Sequence, residues 1–172
     1  MLKKKDTITI PESYSRQKLS ALYKELPISD DIVKLLRKYL KAMANLYGIL
    51  PIVHVYEIIA EQNPGLLTKA DFVKYITLAR HEQEYFILLG ESDLYKTNKH
   101  HSTASLNGIL INLLYVGMGD AYIDRLAELQ GNKPYYVLEK NVLLRNHDCN
   151  YTEPTPYTRA MKQFWHETIH YS

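Results

Sequence analysis

The sequence contains a single cysteine, Cys149, in 172 residues. One thiol excludes an internal disulfide framework and a four-cysteine zinc site, and it suits a reducing compartment. Long apolar runs are also missing. The longest, from Ile109 to Val116, is too short to span a bilayer. The opening Met1-Leu2-Lys3-Lys4-Lys5-Asp6 is charged and has no apolar signal core behind it. These absences lead to the expectation of a cytoplasmic protein with no membrane partner. The Gly-rich phosphate motifs G-x-x-x-x-G-K-[ST] and G-x-G-x-x-G do not occur. There is no internal repeat and no low-complexity tract. Nor is there a strong net charge. Lys and Arg total 21 against 19 Asp and Glu, giving +2, which is far from the profile of a dedicated nucleic-acid binder.

What remains is an ordinary globular composition, 46% hydrophobic and 23% charged. The length fits one domain able to bury a sizeable core. The charge is uneven. Residues 1–41 carry ten Lys/Arg against five Asp/Glu, and the remainder carries eleven against fourteen. An anionic partner is therefore best accommodated near the N-terminal third. Tyrosine is abundant, with 15 residues. Tyr combines a large contact area with a polar tip and is enriched at interfaces, although most tyrosines in any one chain half-bury around the core.

Helical periodicity dominates the pattern. Leu19 to Leu26 predicts a short helix that stops before Pro27. Ser29-Asp30-Asp31 supplies cap and dipole chemistry for a helix carrying Ile32, Leu35, Leu36, Tyr39, Leu40 and Met43 on one face. Gly48 ends it. A second helix starts at Pro51 and runs to Asn63, before the turn Asn63-Pro64-Gly65. Thr68 and Asp71 form a capping box for a third helix that reaches about Gln83. Tyr85 to Leu89 reads as a strand, with Gly90 to Asp93 turning the chain and Leu94 to Lys96 returning it. Three helices followed by a hairpin is the order of a winged helix-turn-helix. Beyond a polar loop at 97–105, Leu106 to Val116 predicts a buried helix. Further helices are expected at 121–130, 138–146 and 157–170, the last with Tyr157, Met161, Phe164 and Trp165 as its apolar positions. The expected fold is mainly α: a winged-helix-like core of three helices and a β-hairpin, with a helical C-terminal half. It divides into an N-terminal polar segment (1–28), a winged-helix-like subdomain (29–97) and a helical region (98–172) packed with it as one domain.

Three groups of residues could carry chemistry. Lys34, Arg37, Lys38 and Lys41 line one face of the first long helix. In a winged helix the 69–83 segment would be the recognition element, offering Lys69, Lys74 and Arg80 to duplex phosphates. The bland counterpart is a solvated charged face. His166-Glu167-Thr168-Ile169-His170 matches H-E-x-x-H. Two histidines four apart on a helix can hold one zinc, with the glutamate as general base. A catalytic zinc usually takes a third protein ligand, and only Tyr171 and Ser172 follow. Histidines at a helix C-terminus also have a simpler reason, interaction with the dipole. His147-Asp148-Cys149 puts a thiol near an imidazole, but neighbours in sequence seldom face one another, so a structural reading is favoured.

Several aromatic and turn positions stand out: Tyr47-Gly48-Ile49-Leu50-Pro51 through Tyr56, Phe72, Tyr85-Phe86, Gln130 to Tyr136, and Tyr151-Thr152-Glu153-Pro154-Thr155. Together, over about residues 30–165, they resemble the helical region of uncharacterised bacterial proteins that often end in a cysteine-rich SEC-C zinc motif. That motif is absent here, so its zinc site does not carry over. The resemblance implies a bacterial interaction module without known catalytic residues.

The favoured expectation is a non-catalytic binding or regulatory module with no cofactor, contacting a protein partner. A small inhibitor from a bacterial or mobile-element (phage or plasmid) source has this profile. Duplex DNA binding through the winged helix is the first alternative. A zinc-dependent hydrolase using His166 and His170 is the second.

Overall fold

The computed structural model describes residues 3–4, 8–82, 84–96 and 106–169. Helix α1 (Arg16–Lys24) starts at Ser15, whose side chain accepts from the Lys18 amide. Helix α2 (Asp30–Tyr47) starts at Ser29, which accepts from the Ile32 amide, and Asp30 and Asp31 place negative charge in its first turn. Its buried face comprises Val33, Leu36, Tyr39, Leu40, Ala42, Met43 and Ala44, so this helix runs through the core. It ends at Gly48, where φ is +73° and a Cβ would meet the Tyr115 ring. Only glycine takes that conformation without strain.

Strand β2 (Ile49–Pro51) leads into α3 (Ile52–Gln62), and α4 (Lys69–Ala79) follows the 63–68 turn. Thr68 caps α4 as its sequence predicts: its Oγ1 accepts from the Asp71 amide at 3.1 Å and donates to Asp71 Oδ2 at 2.7 Å. Next come β3 (Phe86–Leu89), the single turn α5 (Glu91–Leu94) and β4 (Tyr95–Lys96), which pairs with β1 (Lys3–Lys4). The C-terminal half contains β5 (Ile109–Asn112), α6 (Leu113–Gly117), α7 (Asp120–Gln130), α8 (Lys140–Arg145) and α9 (Pro156–Ile169). The fold is mainly helical, with a three-stranded antiparallel sheet of order β2-β5-β3.

Both faces of that sheet are covered. Leu50, Phe86, Leu88 and Leu110 belong to the main core with α2, α3, α4 and α8. Their neighbours Ile49, Ile87, Leu89, Ile109 and Ile111 belong to a second cluster with Ile8, Leu94, Ile123, Tyr115, Val116 and Leu126. Successive strand residues point to opposite faces, so every position in these strands except the terminal Asn112 is apolar.

Two expectations are corrected here. Residues 85–96 do not form a hairpin. Instead β3 pairs with β5, with Leu88 opposite Leu110, and Tyr95–Lys96 pairs with Lys3–Lys4. The chain cannot double back at 90–93 because the Gly90 amide donates to Asp93 Oδ2 and residues 91–94 close into a helical turn. The segment 106–116 is not one buried helix either: Ile109–Asn112 is the central strand, and a short helix follows. A doubly buried strand loses the alternation that distinguishes it from a buried helix. That strand comes from the 98–172 region and lies between β2 and β3, so the two expected regions share one sheet.

Candidate interaction surfaces

The cations singled out in the sequence lie mostly in ion pairs. On α2, Lys34 bonds Asp31 at 3.0 Å and Lys41 bonds Glu84 at 2.8 Å. Arg37 Nε lies 3.0 and 3.1 Å from the two Glu82 carboxylate oxygens, and its Nη2 donates to one of them as well. Lys38 is half-buried. On α4, Lys74 bonds Asp71 at 3.1 Å, while Lys69 is exposed. Arg80, at the end of α4, is buried against Asp93. Arg80 thus serves the interior and Arg37 is committed to Glu82, while Lys34, Lys69 and Lys74 are the ones of these cations exposed to solvent. The acidic partners Glu82, Glu84 and Asp93 were not singled out in the sequence, because the contacts that matter span 13 to 45 residues.

Around Arg37 the side chains form a closed network. Tyr23 Oη donates to Glu82 Oε1 at 2.7 Å, and the Tyr23 ring lies 6.0 Å from the buried Tyr75 ring. Burial, then the Glu82 charge, pushes the Tyr23 phenol far above its ordinary range. The hydrogen bond to Glu82 holds the Arg37 guanidinium protonated even more firmly than usual. Tyr75 is likewise raised well above its ordinary value, chiefly by burial.

This network floors an open cleft of about 650 Å³ between α1, the start of α2, Glu82 and Glu84. A second, more apolar cleft of about 420 Å³ adjoins it through Ser13, Glu82 and Glu84. The segment 9–14 borders both. It is tied at one end by the Thr9 amide to the Asp93 carbonyl (3.1 Å) and at the other by the Tyr14 amide to the His81 carbonyl (3.0 Å). The Tyr14 and His81 rings stack at 4.0 Å.

Helix α9 is a different kind of surface. Its expected apolar positions are confirmed in register but not in burial. Tyr157, Met161, Phe164 and Trp165 are 87%, 59%, 61% and 56% exposed. Spacings of four, three and one residue put them along one stripe of the helix. None of the described side chains of α9 is buried. The zinc site expected at His166 and His170 depends on His170 and on the side chain of His166, which lie outside the described residues. Cys149 is exposed, and the His147 imidazole faces the Leu144 carbonyl at 2.8 Å. The chain matches no protein-family model, no curated protein and no solved structure.

Proposed function

We propose that this chain is a non-catalytic binding module that contacts a protein partner through α9. The observation that carries the reading is the uncovered apolar stripe of Tyr157, Met161, Phe164 and Trp165. Large aromatic and Met side chains are the residues that anchor protein interfaces, and a contiguous exposed set of them costs solubility unless something covers it. An amphipathic helix laid into an apolar groove is a common recognition mode. The pairing of most of the α2 and α4 cations within the chain supports a protein over a polyanion as the partner. The test is comparative capture from a bacterial extract with the wild-type chain and with Phe164→Ala/Trp165→Ala. Partners retained by the first and lost by the second support the reading. An identical set with both overturns it. A metal centre at His166 is the rival reading. Stoichiometric zinc that survives purification and disappears in His166→Ala would favour the hydrolase instead.

A second reading rests on topology. The order α2, β2, α3, α4, β3, β5, with sheet order β2-β5-β3, supports a winged helix-turn-helix in which β3 and β5 are the wing strands. In that reading α4 enters the major groove of duplex DNA and presents Lys69 and Lys74. Lys69→Glu/Lys74→Glu then weakens duplex binding and flattens its salt dependence. Many folds of one topology serve different partners, so the exposed stripe on α9 is the reason the protein partner is put first.

A further inference from the structure

We propose that the cleft between α1 and the start of α2 binds a small organic phosphate. Its volume, about 650 Å³, falls in the range of small-molecule sites. Four cations line it: Arg16, Lys24, Lys34 and Arg37. Three carboxylates also line it, those of Asp30, Glu82 and Glu84, but two of them are already neutralised. Glu82 is held by Arg37 and Tyr23, and Glu84 by Lys41, which reaches it from outside the cleft. Lys34 is paired with Asp31 and Arg37 with Glu82, so Arg16 and Lys24 against Asp30 leave the cleft a net positive charge.

The donors are suited to a tetrahedral dianion. Arg37 spends its Nε and Nη2 on Glu82, and no described hydrogen bond uses its Nη1. A guanidinium anchored on one edge presents the other in a fixed orientation, which lowers the ordering cost of binding phosphate. Arg16 and Lys24 are exposed at the rim and have no ion pair among the described residues. Leu19 and Val33 supply an apolar wall for the organic part. A phosphate monoester carries a charge of about −1.5 to −2 at neutral pH, so it gains more here than a monoanion does.

The experiment is calorimetric titration of the full chain with phenyl phosphate, with benzyl alcohol as the uncharged counterpart. Arg16→Glu/Lys24→Glu removes two rim cations without touching the Arg37–Glu82 pair. Lys69→Glu/Lys74→Glu makes the same net charge change on α4, at residues that do not line the cleft. The proposal expects one phenyl phosphate per chain, affinity reduced at least roughly tenfold in the Arg16/Lys24 variant, and little change in the Lys69/Lys74 variant. It is overturned by no binding at millimolar probe, by benzyl alcohol binding equally well, or by equal losses in the two variants. Retention of the far-ultraviolet dichroism by each variant ensures that a lost signal reports the cleft.

Discussion

Arg80 and Asp93 form an ion pair in the interior, Nη2 to Oδ2 2.5 Å, with side chains only 2% and 6% exposed. The same Asp93 oxygen accepts from the Gly90 amide at 2.7 Å, and the Asp93 carbonyl accepts from the Thr9 amide at 3.1 Å. One residue therefore joins the end of α4, the turn after β3 and the segment entering from the N-terminus.

Asp93→Ala takes the carboxylate away from the buried Arg80 guanidinium and from the Gly90 amide. A loss of about 3–5 kcal/mol is expected on breaking such a pair from one side. Urea denaturation reads it. Arg80→Met/Asp93→Leu, which removes both charges, is expected to lose less than Asp93→Ala. A larger loss in the double variant would assign the stabilisation to the charges themselves.

Gly108→Ala tests the sheet. A Cβ at this position lies 2.2 Å from the Leu89 carbonyl oxygen and 2.8 Å from Ile52 Cδ1. The backbone oxygen cannot rotate away, so β3 and β5 must separate. Destabilisation of about 1–3 kcal/mol is expected, as for other overpacked sites. Gly117→Ala, with nothing within 4 Å of its Cβ, is expected to unfold at the wild-type denaturant concentration or higher.

Tyr23 couples stability to alkaline pH. The folded chain holds the phenol proton more tightly than the unfolded chain, in which tyrosine ionises near 10.0. Stabilisation is therefore complete below pH 10 and falls as pH rises above it towards the folded-state value. Melting temperature measured from pH 8 upward is expected to drop beyond pH 10. The drop should be shallower in Tyr23→Phe, with the remainder carried by Tyr75, Tyr39, Tyr47 and Tyr135, whose phenols are also raised by burial. Equal slopes in the two proteins would place the linkage elsewhere.

The α9 stripe is expected to separate binding from stability. Phe164→Ala and Trp165→Ala remove exposed side chains and should change the unfolding free energy by no more than about 0.5 kcal/mol. Leu36→Ala, at a fully buried position on α2, should cost about 2–5 kcal/mol. Trp165 is the only tryptophan, so its emission is a direct probe of the stripe. A blue shift on addition of a captured partner is the expected signal, and unchanged emission on saturation would place that partner on another surface.

Local chemistry in the sequence was enough to locate most of the helices. Ser29 with two aspartates, Thr68 with Asp71, and the apolar spacing of Ile32 to Met43 each act within a turn or two, and the helices they specify are present. The apolar positions of α9 were legible for the same reason. The identity of 109–112 as a strand was not, since a segment buried on both faces shows no period. Pairing was illegible too. Whether β3 turns back on residues 94–96 or waits for β5 depends on a side-chain acceptor, Asp93, capturing the Gly90 amide and on a partner strand some twenty residues later. The cation face along α2 had its residues right and their neighbours missing. Glu82 and Glu84 reach Arg37 and Lys41 only after α4 folds back, and that contact turns a charged stripe into the floor of a cleft. A single cysteine and the absence of a long apolar run are decided by counting residues. Which cations face solvent, and which apolar stripe is left uncovered, are decided by long-range packing, because burial belongs to the assembled fold and has no local signature.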